Sequence, residues 1–255
     1  MLKLENVTAG YGKLPVVKGI TVELEKGRIT TIIGPNGSGK STLLKAIVGL
    51  CELQQGTVWL EGKSRENIGN KEFARQVSYL PQIHTAGAIT VERMVLHGRF
   101  PYLSYPRHYR REDYEYCTRA MERTGILSLR DKRVEELSGG ERQKVYLAMA
   151  LAGETELFLF DEPTTYLDIR YQLELLQIME QLKEQGRTIL AVLHDLDYAM
   201  RLSDAMMVMK QGEVVMTGTP ECIQRSGILD EVYGIRVKSF LDEEGKKHFY
   251  FDQRR

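Results

Sequence analysis

A glycine-rich run in the N-terminal part of the chain has the residue types and spacing to bind phosphate. It reads Gly34-Pro35-Asn36-Gly37-Ser38-Gly39-Lys40-Ser41-Thr42, which matches the pattern of a glycine, any four residues, then Gly-Lys-Ser or Gly-Lys-Thr. Backbone N–H groups in such a P-loop, together with the N-terminus of the helix after it, attract a triphosphate. We expect Lys40 to reach the β- and γ-phosphates, Ser41 to bind Mg²⁺ and Thr42 to support the loop. The run therefore predicts a nucleotide site.

A pair of carboxylates follows an apolar run later in the chain. Residues 157–160 predict a buried strand, and Asp161 and Glu162 come directly after it. Beside a phosphate-binding loop, Asp161 would hold Mg²⁺, directly or through water, and Glu162 would polarise the attacking water as a general base. An acidic pair after a core strand is unremarkable in isolation. Its occurrence together with the P-loop favours the catalytic interpretation.

Two other polar side chains follow predicted strands. Gln82 comes after residues 77–80, and His194 comes after residues 188–193. Sites in α/β proteins lie at the carboxyl ends of strands. We therefore expect Gln82 to contact Mg²⁺ or the attacking water, and His194 to bond the γ-phosphate or that water.

A second glycine-rich element, Leu137-Ser138-Gly139-Gly140-Glu141, precedes a strong helical pattern. Ser138 and the amides of Gly139 and Gly140 predict another anion site at a helix N-terminus. Tyr11 lies in a loop between two predicted strands. It would either stack on an adenine or be a surface tyrosine of a glycine-flanked turn, and the residues alone leave both interpretations open.

The elements that must position these residues are both helices and strands. Residues 29–33 predict a strand before the P-loop and residues 41–49 a helix after it, while residues 2–7 and 21–24 predict an antiparallel pair ahead of both. Residues 90–153 show no strand pattern and instead contain two or three helical patterns. This change of pattern predicts an inserted helical subdomain.

Beyond the acidic pair, the sequence predicts a long helix and a late hairpin. Residues 169–185 form the helical pattern. Its predicted buried stripe consists of Leu173, Leu176, Met179 and Leu182. Residues 240–241 and 249–251 predict a hairpin around Gly245.

Composition excludes some classes of function. The chain has 255 residues, with 35 Lys plus Arg and 35 Asp plus Glu, so it has no overall positive field for nucleic acid or an anionic membrane. Its apolar runs fall short of the roughly 20 residues that cross a bilayer, and its first residues lack a signal-peptide profile. We expect a cytoplasmic protein. Tyrosines and arginines alternate over residues 102–116 as on an RNA-stacking surface. Neighbouring acidic residues offset most of the positive charge, so we expect these tyrosines to pack the insertion and to offer a docking surface for a protein.

In order and spacing, these motifs resemble those of an ATP-binding cassette (ABC) ATPase. The resemblance covers essentially the whole chain and implies one α/β domain: a P-loop NTPase with a RecA-like core, an N-terminal antiparallel β subdomain and an inserted α-helical subdomain. Residues 1–84 and 154–255 would form the core with its antiparallel elements, and residues 85–153 would form the insertion. The implied nucleotide is ATP, with Mg²⁺.

The resemblance also implies roles for single residues. It makes Tyr11 the adenine-stacking residue, Gln82 the Q-loop, residues 137–141 the signature, Asp168 the D-loop and His194 the switch. In this family the signature contacts ATP held by a partner subunit. The implied assembly is a homodimer with head-to-tail nucleotide sites.

A narrower resemblance lies in Val95-Leu96-His97-Gly98-Arg99-Phe100-Pro101-Tyr102, in the signature with Arg142 and Gln143, and in Leu167-Asp168-Ile169-Arg170-Tyr171-Gln172. These runs are similar to those of ATPase subunits of importers for ferric siderophores, haem and cobalamin. The resemblance implies integral-membrane permease subunits as partners, a substrate-binding protein as an indirect partner, no nucleic acid partner, and a peripheral location at the cytoplasmic face of the membrane.

Other functions fit the sequence less well. The chain could serve another ABC transporter. A DNA-repair or chromosome-structure ATPase shares the motifs but separates them with coiled coils or zinc modules, whereas no sustained heptads or cysteine pairs lie between Thr42 and Leu137. A P-loop kinase has no need of the signature, and a translation-associated cassette protein normally carries two cassettes.

Overall fold

The computed structural model describes residues 1–82, 88–165, 167–243 and 247–253. The chain divides into two compact units, one formed by Met1–Asn67 with Thr188–Arg255 and the other by Ile68–Arg187. The predicted boundary between residues 84 and 85 lies outside the described residues.

The N-terminal part of the first unit contains an antiparallel sheet and the strand and helix that flank the P-loop. The elements are β1 (Leu2–Tyr11), β2 (Leu14–Leu24), β3 (Ile29–Ile33), α1 (Lys40–Val48), β4 (Glu52–Leu60) and β5 (Lys63–Ser64). The sheet has the order β2-β1-β4-β5, and Leu2 pairs with Leu24 in antiparallel register. The predicted antiparallel pair is thus confirmed. All five residues of β3 are buried, as expected of a core strand.

The second unit combines two parallel strands with a set of helices. Its elements are α2 (Asn70–Ala74), β6 (Val77–Leu80), α3 (Val91–Leu96), α4 (Arg111–Arg123), α5 (Gly139–Ala152), β7 (Leu157–Asp161) and α6 (Ile169–Glu184). Strands β6 and β7 pair in parallel from Val77 with Leu157 to Leu80 with Phe160. Helices α3, α4 and α5 pack against one another, so the predicted helical character of residues 90–153 is confirmed.

The predicted buried stripe of α6 is half wrong. Met179 and Leu182 are buried as expected, but Leu173 is 46% exposed. The helix instead buries Leu175 and Ile178. Apolar residues lie on two faces of this helix at the i, i+3 and i+4 spacings, so its periodicity alone does not identify the face that packs.

Part of the tyrosine-rich segment packs the helices of the second unit. Arg99 is buried, donates to Asp113 Oδ1 at 3.0 Å, and lies between the rings of Tyr102 and Tyr116. The Tyr102 hydroxyl donates to the Gly153 carbonyl oxygen at 2.7 Å. Tyr105, by contrast, is 95% exposed. The run from Gly98 to Tyr102 thus connects the region before α4 to the end of α5.

The first unit resumes after α6. Its remaining elements are β8 (Thr188–Val192), α7 (Leu196–Leu202), β9 (Ala205–Lys210), β10 (Glu213–Gly218), α8 (Pro220–Ser226), α9 (Ile228–Tyr233), β11 (Ile235–Leu241) and β12 (Lys247–Gln253). Strand β3 pairs in parallel with β8 and β9, and β10 is antiparallel to β9. Strands β11 and β12 form the predicted late hairpin, whose turn at Gly245 lies outside the described residues.

Candidate functional site

The P-loop connects β3 to α1 in the first unit. Gly39 caps α1 with φ of 100°, a left-handed conformation that glycine adopts without steric cost. Gly34 packs so closely on β9 that a Cβ atom there would lie 2.2 Å from the Met209 carbonyl oxygen. These two glycines set the path of the loop between the strand and the helix, as the sequence predicts.

The polar groups of the P-loop suit an anion. Lys40 is 5% exposed, and its Nζ donates to the carbonyl oxygens of Gly34 at 2.8 Å and Pro35 at 3.0 Å. The buried Ser38 Oγ has no hydrogen-bond partner among the described residues. A buried hydroxyl without a partner is costly unless a ligand satisfies it. A buried ammonium group and an available hydroxyl at the N-terminus of a helix therefore fit a phosphate group.

The β9–β10 turn supports the P-loop, which the sequence did not lead us to predict. The Gly212 N–H donates to the Ser38 carbonyl oxygen at 3.0 Å, and its own carbonyl oxygen accepts from the Lys18 N–H at 2.8 Å. A Cβ atom on Gly212 would lie 2.3 Å from the Val16 carbonyl oxygen. Only glycine fits this close approach, so the turn acts as a spacer between β2 and the P-loop.

His194 and Tyr11 also belong to the first unit. His194 follows β8 and is exposed, and the preceding Leu193 N–H donates to the Ile32 carbonyl oxygen at 3.3 Å. The strand before the P-loop is thus bonded directly to the segment that carries His194. Asp195 caps α7 by accepting from the Tyr198 N–H at 3.0 Å. Tyr11 ends β1 and is 55% exposed, so its ring is available for stacking.

The predicted catalytic carboxylates lie at the end of β7 in the second unit. Asp161 is 1% exposed and Glu162 is 7% exposed. Gln82 Nε2 donates to Glu162 Oε2, so the structure brings together two residues that the sequence assigned to the same reaction. Glu162 has φ of 53°, a left-handed conformation that costs a non-glycine residue about 1 kcal/mol or more. Such strain is typical of functional sites.

Tyr79 is a candidate that sequence reasoning missed. Its hydroxyl donates to Asp161 Oδ2 at 3.2 Å and orients that carboxylate. Tyr79 lies on β6, which pairs with β7. Its position in the sequence could have indicated this role, because Tyr79 lies near the end of the predicted strand that precedes the site residue Gln82.

The signature segment starts α5 with a reciprocal capping box. The Glu141 N–H donates to Ser138 Oγ at 3.3 Å, and the Ser138 N–H and Oγ donate to Glu141 Oε2 at 2.9 and 2.7 Å. These bonds lower the pKa of Glu141 below its usual value. Ser138 and Gly139 are exposed, while Leu137 is buried. The predicted anion site is thus accessible, but its own glutamate already caps it.

Asp168 makes a hydrogen bond at the start of α6, and Pro163 makes one to α5. Asp168 caps α6 by accepting from the Tyr171 N–H at 3.0 Å. Gln143 Nε2, one turn into α5, donates to the Pro163 carbonyl oxygen at 3.2 Å. The signature helix is therefore hydrogen-bonded to the residue that follows Glu162.

The donor set for a divalent cation consists of oxygen atoms. Within the described residues no group of three or more His, Cys, Asp or Glu side chains is arranged to hold a metal ion. The predicted Mg²⁺ ligands Ser41, Gln82 and Asp161 supply hydroxyl, amide and carboxylate oxygens. Mg²⁺ prefers such oxygens and commonly completes its shell with phosphate and water, so the chemistry of this set fits the ion.

No helix of the described ranges combines the length and apolar character of a membrane span.

Comparisons with known proteins identify the family of this chain. The sequence profile of the ABC transporter family matches residues 17–165. The ferric enterobactin transport ATP-binding protein FepC of Escherichia coli (strain K12) is 44% identical over 237 residues, which are 92% of this chain and 88% of that protein. The iron(3+)-hydroxamate import ATP-binding protein FhuC of Bacillus subtilis (strain 168) is 42% identical over 248 residues, 96% of this chain and 92% of that protein.

A solved structure shows the same fold. An inward-facing ABC transporter of metal-chelate type has a chain that superposes with a TM-score of 0.84 at 24% identity, over 100% of this chain and 97% of that one. The match extends beyond the residues that the family profile covers, to the C-terminal elements.

Proposed function

This chain belongs to the ABC transporter family of ATP-binding subunits, and we propose that it hydrolyses ATP to drive the import of a ferric siderophore. The observation that supports the substrate class is the identity, over nearly the whole chain, with a ferric enterobactin transport ATP-binding protein and an iron(3+)-hydroxamate import ATP-binding protein. Haem and cobalamin, which the sequence resemblance also allows, are the alternatives.

Uptake by cells tests the substrate class. A strain that lacks the gene should lose uptake of ⁵⁵Fe from one ferric siderophore, either a catecholate or a hydroxamate. The parental gene should restore uptake, and a Glu162→Gln gene should not. Intact uptake of ferric siderophores together with loss of labelled haem or cobalamin uptake would contradict the proposal.

The P-loop is proposed to hold the phosphates of ATP. Lys40 would exchange its bonds to the loop carbonyls for the β- and γ-phosphates, and Ser38 Oγ would gain the partner that it lacks among the described residues. Backbone amides from Gly37 to Thr42 would donate to the remaining oxygens. Tyr11 would stack on the adenine.

The carboxylates and their neighbours are proposed to carry out hydrolysis. Ser41, Asp161 and Gln82 would hold Mg²⁺, which would neutralise charge on the phosphates. Glu162 accepts the proton of the attacking water, and its strained backbone and its bond to Gln82 hold the carboxylate in place. Tyr79 positions Asp161, and His194 donates to the phosphoryl group in the transition state.

The signature is proposed to act on ATP held by a second copy. ABC ATPase subunits of importers work as dimers with permease partners, and a head-to-tail arrangement would let residues 137–141 of one copy reach the phosphates of the other. The exposed start of α5 supports this use. Ile169 and Leu173, which follow Asp168, are 71% and 46% exposed and offer an apolar surface for the same contact.

A groove in the second unit is proposed to dock the permease. It has a volume of about 340 Å³ and is lined by α2 and by Phe100, Pro101, Leu103 and Arg107. Phe100 is 46% exposed, so an apolar segment of a permease could bury it. Charge reversal at Arg107, Arg110 and Arg111 should reduce co-purification with the permease and leave ATP binding unchanged. Loss of ATP binding would indicate a folding role instead.

The location and domain organisation follow from this assembly. We infer a single cassette with residues 85–153 as its helical insertion, bound peripherally at the cytoplasmic face of the membrane through the permease. A substrate-binding protein would contact the permease and not this chain. Fractionation with and without the permease tests the location, since only the complex should pellet with membranes.

A further inference from the structure

The start of α6 packs against the start of α5 through one aromatic side chain, that of Tyr171. A Cβ atom on Gly140 would lie 3.5 and 3.7 Å from two ring carbons of Tyr171 and 3.8 Å from Leu167 Cδ2. These are ordinary van der Waals distances, so the ring packs next to the second residue of α5. Gly140 belongs to the signature, which we propose to contact ATP held by a second copy. The Tyr171 ring therefore borders a segment of the proposed site.

The same ring also holds a cation of α5. Lys144 Nζ lies 3.7 Å from the ring centroid of Tyr171, within the range of a cation–π interaction. Gly140 and Lys144 are four residues apart, so they share one face of α5. The Lys144 side chain is 14% exposed, and partial desolvation strengthens its attraction to the ring. Tyr171 thus contacts α5 at two successive turns.

Glu174, three residues after Tyr171 on α6, binds the same ammonium group. Lys144 Nζ donates to Glu174 Oε2 at 2.7 Å, and this bond is the main cause that lowers the pKa of Glu174 below its usual value. The carboxylate is therefore ionised at neutral pH. The ammonium group of α5 is held by both a ring and a carboxylate of α6.

The backbone of Tyr171 makes a contact of a different kind. Its N–H donates to Asp168 Oδ1 at 3.0 Å, and Asp168 and Ile169 are both exposed, as is Ser138 of the signature. Tyr171 therefore links two exposed segments of this unit, one through its backbone and the other through its ring.

We propose that Tyr171 is a positioning residue that fixes the signature against the start of α6, so that both segments meet a second copy as one rigid surface. The inference rests on the proposed use of the signature on ATP held by that copy. Tyr171 would not touch ATP itself. Its loss should impair the nucleotide site of the partner, whereas the P-loop of its own chain, which belongs to the other unit, should stay intact.

Tyr171→Ala removes both the packing against Gly140 and the cation–π interaction with Lys144. We expect kcat to fall about tenfold, the effect of one partly desolvated cation–π contact, and the Kd of the single chain for ATP to stay at the parental value. Tyr171→Phe is the matched control, because it keeps the ring and should keep parental kcat. Phosphate release and titration calorimetry on the full-length chain measure the two constants. Loss of kcat in Tyr171→Phe equal to that in Tyr171→Ala would contradict a role of the ring.

Lys144→Met tests whether the ammonium group acts through the ring. In the parental chain kcat should fall about threefold, but in the Tyr171→Ala chain the same change should cause no further fall, because the two residues share one interaction. A full additional loss in the double variant would show that Lys144 acts independently of Tyr171 and would overturn the inference.

A mixture of Tyr171→Ala and Lys40→Ala chains locates the defect. In a mixed dimer one site combines an unaltered P-loop with an unaltered signature. Because random pairing makes half of the dimers mixed, activity should reach about one quarter of the parental value. If Tyr171 acted instead on the nucleotide site of its own chain, that site would be impaired too and activity would stay near about one twentieth of the parental value. This second result would overturn the inference.

The mixture of Ser138→Arg with Lys40→Ala separates this inference from the proposed function. Recovery of activity there, but not with Tyr171→Ala, would overturn the role of Tyr171 alone. Recovery in neither mixture would overturn the use of the signature in trans and the role of Tyr171 with it. Thermal unfolding is measured on every variant, and a lower Tm of Tyr171→Ala with parallel loss of ATP binding would show a folding role and would also overturn the inference.

Discussion

The two glycine-rich helix N-termini of this chain differ in how they could bind an anion. The P-loop is largely buried, with the Lys40 ammonium group inside it and a Ser38 hydroxyl that has no partner among the described residues. The signature is exposed, and the carboxylate of its own Glu141 already accepts from Ser138. Both segments lie at the N-terminus of a helix, where backbone N–H groups lack intrahelical partners, but only the first adds a buried cation.

This difference shows that a glycine-rich helix start does not by itself make a phosphate site. Burial and a cation make the P-loop sufficient for binding. The signature can serve an anion only from outside, and the anion must approach beside Glu141, which has the same sign of charge. One chain should therefore bind ATP without using its signature, whereas hydrolysis should require the signature of a second copy.

The largest effect should come from a change that leaves both helix starts intact. Glu162→Gln removes the general base, so turnover should fall by about 10²-fold to 10⁴-fold while ATP binding and ATP-dependent dimerisation on a sizing column persist. Phosphate release measures the loss. Glu156→Gln, a surface carboxylate paired with Arg187, is the control and should keep parental activity. Turnover of Glu162→Gln at the parental rate would remove the base from the mechanism.

A change at each helix start tests the contrast directly. Lys40→Ala should weaken ATP binding at least tenfold, because it removes a charge-assisted contact. Ser138→Arg should leave binding by the single chain unchanged and stop hydrolysis. Calorimetry on both variants checks this. Equal losses of ATP affinity in the two variants would mean that the signature acts within its own chain.

Mixing these two variants sharpens the comparison. In a mixed dimer with head-to-tail sites, one site carries both defects and the other is intact. Random pairing makes half of the dimers mixed, so activity should return to about one quarter of the parental value. Absence of recovery in demonstrated heterodimers would reject the arrangement in trans or show that both sites must work together. Dimerisation of Glu162→Gln with ATP distinguishes these two explanations.

The smallest effect concerns the cap of α5. The pKa of Glu141 is lowered in the folded protein, so its ionised form stabilises the fold above the usual carboxyl pKa, and this stabilisation is lost as pH falls through the lowered value. Glu141→Gln should therefore be less stable than the parent at pH 7 by about 1 kcal/mol. The difference should shrink in acid. Urea unfolding at pH 7 and pH 3 measures it, and a difference that does not depend on pH would show that the charge is not involved.

Local patterns in the sequence predicted the elements that carry the site. Strand β3 and the end of β7 fall where their apolar runs place them, and the bond between Gln82 and Glu162 agrees with their predicted shared role. The prediction of which face of α6 is buried was partly wrong, because Leu173 and Leu175 lie on different faces of the helix and both faces carry apolar residues. The bond of Gly212 to Ser38 could not be predicted, since it joins segments that are distant in sequence and adjacent only after folding.

The close packing of Gly212 affects how the protein can be labelled. From its sequence, the Gln211-Gly212 turn is an ordinary surface hairpin and an attractive place to insert an epitope or a fluorophore-binding peptide. Its backbone, however, is bonded to both Ser38 and Lys18, so an insertion there would separate the nucleotide loop from β2 and remove ATP binding. The turn at Glu61-Gly62 is the better location, because a Cβ atom at Gly62 would meet no heavy atom within 4 Å beyond its chain neighbours. Gly62 itself should be kept, since its φ of 75° favours glycine.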